Sequence, residues 1–221
     1  MVRASKKSFA SEIDFYKLFW VFMIGCFLGV VVEILFCLVS NGYIESRQGL
    51  IYGPFNPVYG FGAVLMTLVL HPIEHKRWYV IFILSMILGG GFEFISSYVQ
   101  QFTTGTISWQ YQEMPFNLGG RTSLKFSLYW GILGLLWVKE IYPHMSRLIE
   151  KIPNHFGIIM TWILVVFMIL NMTISALAVN RWTQREEGIS ENSGFEEFLD
   201  QTYPDNFMDK IYPNMVKVGH P

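Results

Sequence analysis

The sequence predicts an all-α membrane protein of about five transmembrane helices, two parallel two-span repeats plus a fifth span. Three observations carry that reading. Charged residues make up 15% of the chain and hydrophobic ones 52%, where a soluble domain carries roughly 25% charge. Between Leu18 and Val39 the only charge is Glu33, between Tyr79 and Gln100 the only one is Glu93, and between Phe156 and Asn180 there is none. A bilayer core of about 30 Å needs roughly 20 such residues in a helix. Finally, residues in the third span repeat a pattern of the first.

Taken in order, Arg3, Lys6 and Lys7 precede an apolar run as they would in a signal peptide. The run is too long for a signal h-region, carries Glu33 and lacks a small-residue cleavage site, so it reads as a retained span. Span one runs from about Phe15 to Val39, span three from Trp78 to Val99 and span five from Phe156 to Val179. Spans two (Val58 to Leu70) and four (about Thr122 to Val138) are weaker, each preceded by a segment broken by Pro and Gly. Repeat one thus covers about 15–70, repeat two about 78–138 and the fifth span about 156–179, within a bundle of 1–180. The 181–221 remainder is an acidic tail, with eight acidic residues after Arg185 and only Lys210 and Lys217 against them. It reads either as a solvated extension or as a tail folded back over the bundle. Phe195, Phe198 and Leu199 indicate a short amphipathic helix, and Tyr203–Asn206 and Tyr212–Met215 indicate turns.

Basic residues orient the bundle. With the N-terminus inside, nine Lys and Arg fall on the inner side and five near the membrane outside. This bias predicts a plasma-membrane protein with a cytoplasmic N-terminus and an external C-terminus. Cys26 and Cys37 lie about 16 Å apart along one helix and cannot bond to each other.

Gly25, Gly29, Glu33 and Cys37 stand at successive fourth positions in span one; Ser85, Gly89, Glu93 and Ser97 repeat them sixty residues later. Steps of four share a helix face. Pro54-Phe-Asn56 recurs as Pro115-Phe-Asn117, and Tyr59-Gly60 is echoed by Trp130-Gly131. Each repeat has an even number of spans, so both halves face the same way. Small-residue stripes allow close helix approach in lipid, and spans one and three are expected to pack on each other through them.

The two glutamates bear on function. A carboxylate within a span costs about 3 kcal/mol and faces the bundle interior or a wet cavity. Arg47 and Arg121 follow Glu33 and Glu93 and are the natural partners. One reading makes these pairs clamps; the other lines a polar, outward-facing cavity with Glu33, Glu93, Arg47, Arg121, Asn56 and Asn117, walled by Trp109 and Tyr111. Interrupted spans in corresponding positions of two halves point to a transporter-type site. Asn171 and Thr173 are expected to hydrogen-bond a neighbouring helix. His71, His75, His144, His155 and His220 lack metal-ligand spacing, and no P-loop, HExxH, GxSxG or DNA-binding helix is present. No cofactor, metal or nucleic acid is expected, nor, without a P-loop, ATP hydrolysis by this chain alone.

Four segments carry a family resemblance: Gly29-Val-Val-Val-Glu33, Arg47 to Gly62, Gly91-Phe-Glu93, and Trp109 to Arg121 with Trp130-Gly131. Together they resemble the bacterial integral membrane family named Putative ABC-transporter type IV, or CmpB-like, permeases. The resemblance implies a transport-associated membrane subunit with a separate ATPase subunit or a homo-oligomer as partner. Where the family pattern has Trp-Asp-Tyr-Ser, this chain has Trp109-Gln-Tyr-Gln112, so an acidic group at Gln110 is missing. The inner loop His71–Arg77 is too short for an ATPase-coupling helix, and only Lys139–His155 has the length. An envelope-facing enzyme acting on an anionic lipid, with a glutamate as acid or base, and a scaffold or sensor meeting a partner through its tail are the alternatives.

Overall fold

The computed structural model describes residues 8–219; Arg3, Lys6, Lys7 and His220 lie outside the described residues. Three helices are long and apolar enough to cross a membrane: α1 (Phe15–Asn41), α3 (Trp78–Thr104) and α6 (Asn154–Glu186). Asp14 caps α1 by accepting the Lys17 N–H at 2.9 Å. Gly42 and Gly105, both left-handed, end α1 and α3. Large apolar side chains such as Val32, Phe36, Ile87, Ile163 and Leu170 stand exposed along these helices, as lipid-facing residues do.

Two shorter helices alternate with the long ones. α2 (Pro57–Leu70) continues through a 3₁₀ turn to Ile73. α4 (Leu124–Leu136) passes without a break through a π-helical segment, Trp137–Ile141, into α5 (Tyr142–Ile149). Pro143 explains the widened turn, because its ring lacks an N–H and crowds the carbonyl four residues back.

The small-residue faces turn toward these shorter helices. A Cβ on Gly29 would lie 2.1 Å from Tyr59 of α2, and one on Gly89 2.2 Å from Trp130 of α4. Gly25 meets Ala63, and Ser85 meets Gly134. Contrary to the expectation that α1 and α3 meet through their stripes, each stripe seats the helix that follows it, forming two antiparallel hairpins. The reason is steric: only a face without side chains admits a ring as large as tyrosine or tryptophan so close to the backbone.

At the end where α1 begins, a core of Val21, Met66, Leu70, Ile81, Trp137 and Ile149 closes around Phe9 and Ala10. Lys17, 1% exposed, is buried in it. Its ammonium donates to Ser146 Oγ and to Glu150 at 2.6 Å, tying α1 to α5. At the opposite end lie the segments 42–56 and 105–121 and the tail. The tail is folded: α7 (Gly194–Thr202) and α8 (Asp205–Ile211) pack on α6 through Leu199, Tyr203, Met208 and Tyr212. Its last strand, β4 (Val216–Lys217), pairs antiparallel with β1 (Thr106–Ile107) after α3. A second small hairpin, β2 (Asn117–Leu118) with β3 (Thr122–Ser123), precedes α4.

Candidate functional site

The segment between α1 and α2 does not stay at the surface. Asn56 N–H donates to the carbonyl of Cys26, midway along α1, at 3.1 Å. Tyr52 is held by Asn171, midway along α6: its N–H donates to Asn171 Oδ1 at 3.2 Å, and Asn171 Nδ2 donates to its carbonyl at 2.7 Å. Ile51 N–H donates to Ser175 Oγ at 2.9 Å. Irregular backbone at membrane depth requires such internal partners, because lipid supplies none. The chain therefore dips to about mid-depth, and α2 starts there, with Asn56 as its cap and Pro57 in its first turn. Before α4 the same role falls to 105–123, where Thr122 reaches Glu93, midway along α3, and Ser123 caps α4. Both helices start inside the bundle: α2 is therefore about half the length of α1, and α4 gains its length only by continuing through the π-helical segment into α5.

Between the hairpins is a cavity of about 480 Å³ lined by Glu33, Arg47, Asn56, Glu93, Trp109 and Tyr111, all of them residues singled out by the sequence. Arg121 and Asn117 do not line it. Asn117 shapes the β2–β3 turn, donating to Met114 O at 2.8 Å and accepting the Gly120 N–H at 2.9 Å. Arg121 donates to Ser97 Oγ at 2.9 Å and to Gln101, and lies over the Tyr98 ring. It lines a separate recess that also holds Gln110, so the departure from the family pattern falls outside the main cavity.

The expected Glu–Arg pairing holds in one half only. Arg47 Nη1 lies 3.8 Å from Glu33, but Arg47 is gripped more closely by Glu45. Arg47 Nε is buried with no hydrogen-bond partner. Glu93, 8% exposed, is held by hydroxyls rather than a cation: Tyr111 donates to one carboxylate oxygen and Thr122 to the other, both at 2.8 Å. In the other half Tyr59 donates to Glu33 at 2.5 Å.

Sequence reasoning missed Tyr59 and Thr122 as glutamate partners. Tyr59 was visible only as the echo of Trp130; its place in the first turn of α2, just past the Asn56 cap, was the available signal. Tyr212 and Met215 of the tail also line the cavity, which no local feature of the tail foretold.

Long apolar helices, interrupted shorter ones between them and two carboxylates within the apolar spans, Glu93 buried and Glu33 partly so, define a multi-pass α-helical membrane protein. The model of the family Putative ABC-transporter type IV (ABC_trans_CmpB) matches residues 20–176, and the chain belongs to that family. The matched region holds both hairpins, the cavity glutamates and most of α6, and stops short of the tail. No curated protein and no solved structure matches the chain.

Proposed function

We propose that this protein is the membrane subunit of a transport system whose substrate passes through the cavity between two parallel two-span repeats. In this reading α1–α2 and α3–α4 are the repeats and α6 is the fifth span. The N-terminus is cytoplasmic, the C-terminus is external, and a separate ATPase or a second copy of the chain is the partner. One observation carries the reading: Glu33 and Glu93, at matching positions on α1 and α3, border one cavity, each held by a tyrosine hydroxyl from its own half. Helices that begin at mid-depth beside such a cavity are the recurring architecture of transporter sites. The family membership supports the same class.

A purely structural pair of carboxylates predicts otherwise. If Glu33 and Glu93 only hold the fold, Glu33→Gln and Glu93→Gln will lower the amount of protein in the membrane. If they serve passage, both variants, which keep the side-chain shape, will reach wild-type abundance and fail to complement a deletion strain. Membrane abundance measured beside complementation decides it, and full complementation by both variants overturns the transport role of the cavity.

A further inference from the structure

We infer that the cavity takes an organic cation, an ammonium group with an apolar body, seated between Glu33 and Glu93. The inference rests on reading that cavity as a substrate site, and it names the chemistry of what enters. Charge is the first argument. The ionisable acids and bases on the wall are Glu33, Glu93 and Arg47. Arg47 is engaged by Glu45 and stands 3.8 Å from Glu33, and Glu93 is held by the hydroxyls of Tyr111 and Thr122, with no cation paired to it among the described residues. With Arg47 matched to Glu45, two carboxylates remain without a full counter-charge. The N-termini of α2 and α4 contribute at most about +0.5 each, and both are capped by side chains. With both carboxyls ionised the balance is negative, which repels an anion and attracts a cation.

The second argument is the wall itself. Phe61, Phe92, Trp109 and Trp130 join the two tyrosines around the carboxylates. Aromatic faces attract cations by their quadrupole and accept apolar bodies equally well. A bare metal ion is a poor match, because calcium and zinc need several charged or imidazole ligands together. Among the described residues no group of three His, Cys, Asp or Glu is placed to supply them. A cavity of about 480 Å³ has room for a ring-bearing ammonium compound.

The test uses the full chain purified in detergent, with benzyltrimethylammonium as the cation and benzenesulfonate as an anion of similar size. Calorimetry and thermal stability should show saturable binding of the ammonium and none of the sulfonate. Glu33→Gln and Glu93→Gln should each weaken ammonium binding roughly tenfold or more, while Glu113→Gln, on an exposed loop residue, should leave it unchanged. Equal binding of both probes, no ammonium binding, or full affinity in the Glu33→Gln/Glu93→Gln double variant overturns the inference. Should the glutamine variants fail to fold, the wild-type protein decides. Benzyltrimethylammonium should protect Glu33 and Glu93 from an apolar carbodiimide, as read by mass spectrometry, and unchanged labelling overturns the inference. Ammonium binding by the wild type, weakened in variants that still complement, leaves the inference standing and removes the transport role. Loss of complementation by the variants of a wild-type protein that binds no ammonium does the reverse.

Discussion

Asn171 closes both hydrogen-bonding groups of the Tyr52 peptide with one side chain, and at 2% exposure no water can take its place. Replacing it with alanine leaves an N–H and a carbonyl unpaired at the depth where α2 begins. Each orphaned buried group costs about 1–3 kcal/mol. Asn171→Ala is therefore expected to lower the thermal stability of the purified protein clearly. Thr173→Ala should not, because Thr173 is exposed and its hydroxyl bonds only Ile169 of its own helix, at 2.8 Å. Equal melting temperatures for the two variants would refute the clamp. Both residues had the same look in the sequence, polar groups in an apolar span, and both were expected to reach a neighbouring helix. Neither does. The partner of Asn171 is a loop 119 residues away, and a partner that distant leaves no trace in local pattern. Glu33 and Glu93 were legible because an isolated charge in an apolar run demands a burial site wherever it falls. Arg121 misled because proximity in sequence to Glu93 stood in for proximity in space.

At the scale of elements, the tail shows how charge and apolar packing divide the work of docking. Leu199, Tyr203 and Met208 are buried against α6, while Phe195 and Phe198 stand about half exposed. The apolar triplet identified a helix but not which of its members would be covered. The expected turn at Tyr203–Asn206 opens a further helix, α8, because Pro204 suits a helix start as well as a turn. Around this apolar contact, Arg181 donates to Asp200 at 2.8 Å and Arg185 to Asp205 at 2.8 Å. The hydrogen bond from Arg181, with help from Arg185, holds the Asp200 carboxyl below the usual carboxylate range. A carboxyl whose pKa is lower in the folded state stabilises that state fully above its unfolded pKa. The contribution is lost as pH falls through the lowered folded value. Docking of the tail should thus persist from neutral pH down to about 4 and weaken only below. Asp200→Asn should loosen the tail already at neutral pH. Limited proteolysis of 187–193 across pH reads this directly; identical protection in wild type and variant at neutral pH would exclude the ion pair as a fastener.

Across the whole molecule, the legible spans were those formed by one unbroken helix. α1, α3 and α6 are each long and apolar enough to cross a membrane alone, and their sequences are continuously apolar. α2 and α4 begin at mid-depth, each after irregular chain, and before α2 the polar backbone of that chain is closed by Asn171, Ser175 and the Cys26 carbonyl. Such segments carry Pro and Gly rather than a hydropathy signal. Orientation rests on the basic residues, and the folded protein alters their weight. Lys17 is buried against Glu150 on one side, and Arg181 and Arg185 are bound by Asp200 on the other. What remains near the end where α1 begins is Lys76, Arg77, Lys139, Arg147 and Lys151. Near the opposite end Arg121, Lys125 and Lys210 of the docked tail remain, Arg47 and Lys217 being paired with glutamates. The bias keeps its sign, so the end with Lys76 and Arg77 is expected in the cytoplasm and the docked tail outside. Cys26 and Cys37 are buried, which leaves a low labelling background for introduced cysteines. A membrane-impermeant maleimide applied to intact cells should label Ser193→Cys, exposed at the start of α7, and miss His75→Cys, exposed between α2 and α3. His75→Cys should label only once the membrane is opened. The reverse pattern would turn the cavity and its tail cover toward the cytoplasm, and the cation would then have to be captured from inside the cell.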